Sequence, residues 1–259
     1  MRNLMSDDDW SFVEPFLHTQ GPKSGRPPSN HRLILDGIFW IARTGAPWRD
    51  LPNDFGKWSS VYRQFPRWTL LGVWDVLLDT LNDARAVPDT VQMIDSTIIR
   101  AHHQTAGGKR GTQKEGLGRS KSGFTSKIHL RTNAEGLPIA LEISEGQTSD
   151  YKGYAPLMEW GGPDAKVLLA DKGYDANSIR GDMKKRGGFA MILMRKNRKE
   201  ITPIDDFLYG LRNQVERCFN KLKNARRVAT RYDKTMLSFL GFVQVTSIRV
   251  WIKHFVNRT

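Results

Sequence analysis

The chain has 259 residues, 39% hydrophobic and 26% charged, a composition that builds a packed core and excludes a disordered or collagen-like chain. Its net charge of +13 is gathered rather than spread: residues 109–131 hold seven Lys/Arg against one acidic residue, and residues 184–234 hold fifteen against five. Such clustering is the footprint of a polyanion partner, while a single cysteine, Cys218, excludes an internal disulfide or a cysteine-based zinc site and fits a reducing, cytoplasmic setting. The start, MRNLMSDDDW, turns acidic without an apolar run, so no signal peptide is expected. The uncharged run from Thr235 to Ile248 is too short to cross a bilayer, so no membrane partner is expected.

In chain order, Asp7, Asp8 and Asp9 supply cap and first-turn carboxylates for a helix over 7–17, with Trp10, Val13 and Leu17 at helical spacing. Residues 19–30, TQGPKSGRPPSN, form a loop. Leu33 to Arg43 is a second helix, with Ile34, Ile38 and Ile41 or Ala42 as its apolar stripe. After the turn-rich TGAPWRDLPNDFG comes a third helix over 57–68. Trp58, Tyr62 and Phe65 are its expected apolar stripe, opposite Ser59, Ser60, Arg63, Gln64 and Arg67. A fourth helix covers 70–81. This small all-α unit, 1–88, resembles helix-turn-helix DNA readers, with Arg63 and Arg67 as DNA contacts. The alternative is a polar face that meets only water.

Near Ala86-Val87-Pro88-Asp89 the pattern changes from helical to strand-like. Val91 to Asp95 is a buried strand ending in a carboxylate. Residues 122–130 and 137–143 form a hairpin across the turn Asn133-Ala134-Glu135-Gly136. A helix over 151–160 follows, then a strand over 166–171 that again ends in Asp, then a helix over 176–186 closed by Gly187-Gly188. Residues 189–194 are a fifth strand, and residues 195–199 a basic link. The stretch from Tyr209 to Lys234 reads as one helix with a basic tail, and 236–255 as the last helix. Residues 89–259 therefore read as a five-stranded mixed α/β sheet, antiparallel first and parallel later, in the chain order of the RNase H-like fold.

Asp95 and Asp171 both sit at strand ends, where ligands of open α/β sheets collect. Each alone is more often a cap or turn residue, and it is the two together with Glu216 that shift the balance. On the Tyr209 helix, Arg212, Glu216 and Lys223 recur at spacings that share one face, with Tyr209 a turn before Arg212. Three carboxylates in one pocket need a cation, and oxygen-only ligands favour Mg²⁺ or Mn²⁺ over zinc. Two such ions about 3.5–4 Å apart drive in-line phosphodiester displacement. Adjacent His102 and His103 point apart on regular structure and make a poor metal pair; His129, on the second strand, is expected to line the pocket instead. The Gly-rich basic loop over 104–123 is either a DNA clamp or a solvated loop. Arg119, Lys121, Lys127, Arg217, Arg226, Arg227 and Arg231 are the further expected phosphate contacts, giving affinity rather than sequence choice.

The spacing of Tyr209, Arg212, Glu216 and Lys223 resembles the Tyr-Arg-Glu-Lys motif of bacterial insertion-sequence DDE transposases. The phrases IARTGAPWRDLP (41–52), FGKWSSVYRQF (55–65), MIDSTIIRAH (93–102), LADKGYDA (169–176) and ERCFNKLKNARRVATRYDK (216–234) are similar to the insertion sequence five family. The resemblance runs in order from about Trp10 to Trp251. It implies a catalytic, metal-holding triad of Asp95, Asp171 and Glu216, with Tyr209, Arg212 and Lys223 positioning the transposon end. It implies cleavage at terminal inverted repeats of double-stranded DNA and attack of the 3′-OH on target DNA, with two Mg²⁺ or Mn²⁺ ions when DNA is bound. It also implies a homodimer or higher assembly, associated with the bacterial nucleoid when bound to DNA. Between Asp171 and Glu216 there is no room for the β insertion that some relatives carry, which puts hairpin chemistry in doubt. Cys218, where an aromatic or apolar residue is expected, is a packing substitution. A DNA-binding relative without catalysis and a general RNase H-like nuclease stand as the alternatives.

Overall fold

The computed structural model describes residues 5–18, 30–84, 90–107, 111–120, 123–160, 162–196, 198 and 203–256. Four helices come first. In α1 (Asp7–His18) Ser6 and Asp9 cap each other, each side chain accepting the other's backbone N–H at 3.1 Å. The Asn30 side chain caps α2 (His31–Thr44) through the Leu33 amide, and Gly45, at φ +69°, ends it by donating to the Ile41 carbonyl. The apolar stripe of α2 is buried as expected. Helix α3 (Trp58–Leu70) differs: it buries Val61, Phe65 and Trp68, and Tyr62 is left 47% exposed. The stripe is turned by one residue because Trp58 and Tyr62 pack on each other at the helix edge, with Tyr62 also against Trp48. Helix α4 (Val73–Asp83) starts after Gly72, later than the pattern suggested.

One mixed sheet follows. Its strands are β1 (Val91–Ala101), β2 (Gly118–Ser120), β3 (Gly123–Asn133) and β4 (Pro138–Glu145), and, after α5 (Tyr154–Glu159), β5 (Val167–Ala170). Helix α6 (Asn177–Lys185) leads to β6 (Phe189–Ile192). Then come α7 (Asp206–Gly210), α8 (Asn213–Lys223), α9 (Arg226–Ala229), the short β7 (Thr230–Arg231) and α10 (Met236–Val256). The backbone of the sheet runs β4-β3-β1-β5-β6: β1, β3 and β4 pair antiparallel, while β5 and β6 run parallel to β1. The sequence predicts five strands; among the described residues the sheet has seven, because β2 adds to β3 and β7 adds to β1. Both additions are too short to leave a periodic signal in sequence.

Two further expectations are corrected. Strand β1 does not end at Asp95 but continues to Ala101, paired with β3 along its length. The stretch from Tyr209 to Lys234 is not one helix: it breaks at Leu211-Arg212 and again at Asn224-Ala225, and closes in β7.

Helix α10 is apolar nearly all round, the pattern of a helix enclosed on every side. Phe65 of α3 stacks on its Phe242 at 4.3 Å between ring centroids, and Trp251 donates its indole N–H to the Pro138 carbonyl at the start of β4 at 2.7 Å. The N-terminal helices and the sheet thus share one apolar core through α10, and a second core lies between the sheet and α5 and α6. The boundary expected at 86–89 lies outside the described residues, and packing does not set 1–88 apart as an independent body. Among the described residues no helix is long and apolar enough to cross a membrane.

Asp36, buried on α2, ties down the chain start by accepting the Met5 amide at 2.9 Å. Burial pushes its carboxyl up to about 6, against the pull of that amide, Arg32 and Arg249. A raised carboxyl favours the folded state while protonated, so stability is lost as pH climbs from the open-chain value of 3.8 through about 6. Asp36→Asn keeps the acceptor without the charge. Chemical denaturation at pH 7.5 should show it more stable than the parent by up to about 3 kcal/mol, at about 1.4 kcal/mol per unit of raised pKa. At pH 4 the gain should largely vanish.

Candidate active site

The parallel pairing of β1 with β5 puts Met93 opposite Leu169. Two residues further along each strand come Asp95 and Asp171, so the two carboxylates reach the same level on neighbouring strands. Asp171 also caps the turn that follows, its Oδ1 accepting the Gly173 amide at 2.8 Å. Successive strand residues alternate faces, so Asp95 and Thr97 point the same way, and both meet the α8 segment. Arg212, just before α8, donates from Nη1 to Asp95 Oδ2 at 2.9 Å and from Nη2 to Glu216 Oε1 at 2.5 Å. Lys223, at the far end of α8, donates to Thr97 Oγ1 at 2.7 Å. The helix break at Leu211-Arg212 therefore does not scatter the motif: Arg212, Glu216 and Lys223 still face β1.

The electrostatics report one cluster. Burial pushes the Asp95 carboxyl up to about 6; the Ser96 amide and Arg212 oppose this, and Asp171 and Glu216 add to it. Tyr209 stands in the same field: burial, Asp171 and Asp95 push its phenol up, while Arg212 pulls it down. Arg212 answers all three carboxylates: burial pulls its pKa down, and Asp95, Tyr209, Glu216 and Asp171 together hold it up. Among the described residues no three acidic, His or Cys side chains converge tightly enough to hold a metal ion; the guanidinium of Arg212 lies between Asp95 and Glu216.

The expected phosphate contacts divide. Arg63, Arg67, Arg119, Arg217 and Arg226 are exposed. Three others are corrected, because their charges are used inside the protein. Arg231 is fully buried, donating to the Asp233 carbonyl, the Gly116 carbonyl and Ser126 Oγ. Arg227 is buried in an ion pair with Asp233 at 3.1 Å. Lys127, 7% exposed, is bound to Asp150. Lys121 lies outside the described residues. His129 is core: its Nε2 meets Ser144 Oγ at 2.7 Å, and burial lowers its pKa to about 4. The rings of His102 and His103 pack on one another, and His102 also packs on Tyr232. Cys218 is buried, its thiol pushed up to about 12 by burial, which leaves it an unreactive packing group.

One acidic residue escaped sequence reasoning. Asp150, on the turn Asp150–Gly153 after β4, accepts from Ser96 Oγ at 2.5 Å and from Lys127 Nζ at 2.7 Å. Lys127 and Ser96 outweigh its burial and hold its pKa low. Its only sequence signal is a Ser-Asp pair in a turn, which caps of every kind share.

Carboxylates level on adjacent parallel strands, with a third on a helix laid across them, define a sheet-borne acidic centre, the class of site suited to phosphoryl transfer. The chain's two halves match two families: residues 5–78 match "Putative transposase of IS4/5 family", and residues 87–239 match "Transposase DDE domain". The chain belongs to the DDE transposases of bacterial insertion sequences. It is 33% identical over 131 residues to "Putative transposase for insertion sequence element IS6501" of Brucella ovis, covering 50% of this chain and 100% of that one. It is 43% identical over 107 residues to "Uncharacterized protein y4sN" of Sinorhizobium fredii, covering 41% of this chain and 83% of that one. In fold it is similar to the piggyBac transposase of a synaptic complex with hairpin DNA, with a TM-score of 0.55 and 10% identity over 98% of this chain and 73% of that one.

The division of the cations is testable. Arg231→Ala strands buried acceptors and should cost about 2–5 kcal/mol in denaturant unfolding. Arg226→Ala, at the surface of the same segment, should stay within about 0.5 kcal/mol of the parent.

Proposed function

We propose that this transposase cleaves DNA at the ends of its element and joins the freed 3′-OH to target DNA, using Asp95, Asp171 and Glu216. The observation that carries the proposal is the level placement of Asp95 and Asp171 on β1 and β5, with Glu216 tied to Asp95 through one guanidinium. The donor set is all oxygen, three carboxylates that act on one another at Asp95, which fits Mg²⁺ or Mn²⁺. Asp95, Asp171 and Glu216 would hold two such ions when DNA is bound. Bound there, the ions supply Lewis-acid activation of the attacking oxygen and charge relief at the leaving one.

The rest is work for the chain's own groups. Arg212 neutralises Asp95 and Glu216 in the free protein. Partly exposed at the helix break, Arg212 would be able to pair with a phosphate instead, the partner its planar fork suits. Lys223, held by a neutral hydroxyl rather than a carboxylate, is free to take a phosphate at little cost. Tyr209 walls the pocket beside them. Arg63 and Arg67, exposed on α3 with Arg63 fixed to the Ser59 carbonyl, supply a helix-turn-helix-like contact to the terminal repeats. Arg119, Arg217 and Arg226 widen the phosphate track. Two ends must be joined, so a homodimer or larger assembly on DNA is part of the proposal.

The experiment is end cleavage of labelled terminal-repeat DNA with Mg²⁺. Asp95→Asn should bind DNA and not nick it. Arg212→Ala and Lys223→Ala should lower nicking more than they lower total binding. Binding with no nicking in either Mg²⁺ or Mn²⁺ would overturn the proposal in favour of a DNA-binding protein without catalysis. For the α3 contact, Arg63→Ala with Arg67→Ala should reduce the slope of log affinity against log salt by about 2, or about one per phosphate lost. An unchanged slope would remove α3 from the interface.

A further inference from the structure

Asp150 is a fourth carboxylate at the acidic centre, and the reading above gives it no task. Its Oδ1 takes two donors, Lys127 Nζ at 2.7 Å and Ser96 Oγ at 2.5 Å. Lys127 is tied in turn to the Thr148 carbonyl at 2.5 Å. Ser96 follows Asp95 on β1, and its backbone N–H donates to Asp95 Oδ1 at 2.8 Å. An unbroken chain of bonds thus runs from β3, through Lys127, Asp150 and Ser96, to the carboxylate of Asp95. The other oxygen of Asp150 and the second carboxylate both border Gly173: a Cβ added there would stand 2.9 Å from Asp150 Oδ2 and from Asp171 Oδ1. Buried Tyr174 lies under the influence of Asp95, Asp150 and Asp171 together.

We propose that Asp150 is a positioning residue of the catalytic centre: clamped by Lys127, it fixes Ser96 and through Ser96 the orientation of Asp95. The clamp has a second consequence. Lys127 is an ammonium in the interior, its side chain 9% exposed, and it cancels the charge of Asp150. The centre then keeps the charge of three carboxylates although it contains four. A buried lysine persists only when paired and hydrogen-bonded, and Lys127 meets both conditions through Asp150 and the Thr148 carbonyl. The inference rests on the metal-dependent reading above.

The test is calorimetric titration of Mn²⁺ into the full chain bound to pre-cleaved terminal-repeat DNA, with the heat of Mn²⁺ binding to that DNA alone subtracted and metal-free thermal unfolding as the check on folding. Ser96→Ala removes one hydroxyl and Asp150→Ala removes the clamp; each should weaken Mn²⁺ binding about tenfold or more. Asp150→Asn keeps an acceptor for Ser96 and should recover most of that loss. Lys127→Met should weaken binding as well, although it leaves the centre more negative. Tighter binding in Lys127→Met, or equal losses in Asp150→Asn and Asp150→Ala, would overturn positioning in favour of simple charge. A loss in Asp150→Asn as large as in Asp95→Asn would overturn it in favour of direct ligation. A parent that binds no Mn²⁺ overturns the metal reading and this inference with it. A parent that binds while Ser96→Ala and Asp150→Ala bind equally well overturns this inference alone.

Discussion

The parallel registration of β1 with β5 is the constraint on which the site depends. Once Met93 pairs with Leu169, the chain has no freedom to separate Asp95 from Asp171. Carboxylates brought together in a half-buried place repel, and the Asp95 carboxyl, pushed up to about 6, records that repulsion on top of its burial. The protein answers with guanidinium. Arg212 stands between Asp95 and Glu216, and Lys127 stands against Asp150. These two cations differ in reach. Arg212 is partly exposed at a helix break and can leave; Lys127 is enclosed between strands and a turn and cannot leave without unpacking them. Exchangeable charge therefore faces the opening, and fixed charge lies behind it.

The helices around the sheet turn that local arrangement into a larger surface. Helix α10 packs on α3 through Phe242 and on β4 through Trp251, so the exposed face of α3 is held in fixed relation to the sheet. Gln244 of α10 adds a hydrogen bond to Asp75 of α4 at 2.5 Å. A polymer spanning both faces meets a rigid spacing rather than two bodies on a tether, which limits the ordering cost of binding.

Much of this was legible in sequence, and the misses have physical reasons. Period-3.6 and period-2 patterns report burial, so the helices and the five long strands appear where those patterns are strong. They are silent on β2 and β7, which are too short to have a period, and on the end of β1, where pairing with β3 carries the strand past Asp95. The broken helix after Tyr209 was missed because Leu211 and Arg212 are good helix formers, and tertiary contact with β1 decided otherwise. The Tyr-Arg-Glu-Lys spacing still names residues that meet in the fold, because Arg212 and Glu216 stay bonded across the break and Lys223 reaches Thr97 of β1. Asp150 was not found because its partners, Ser96 and Lys127, are 54 and 23 residues away and meet it only in the folded sheet.

Counting charge along the chain also overstates what a polyanion meets. Residues 109–131 carry seven cations, yet Lys127 and Arg131 lie inside. Arg131, 2% exposed, donates to Gln92 Oε1, the Leu157 carbonyl and the Pro163 carbonyl, joining β3 to β1 and the α5 region. Arg227 and Arg231 do similar work where α9 and β7 meet the sheet. Arginine suits this interior use because its five donors satisfy several carbonyls at once. A basic segment that enters a sheet therefore loses the cations of its buried strand to the interior, and only those outside the strand remain for a phosphate track. In this fold the buried cations are not idle: by bracing β1, β3 and β7 they hold rigid the strands that carry Asp95 and its clamp.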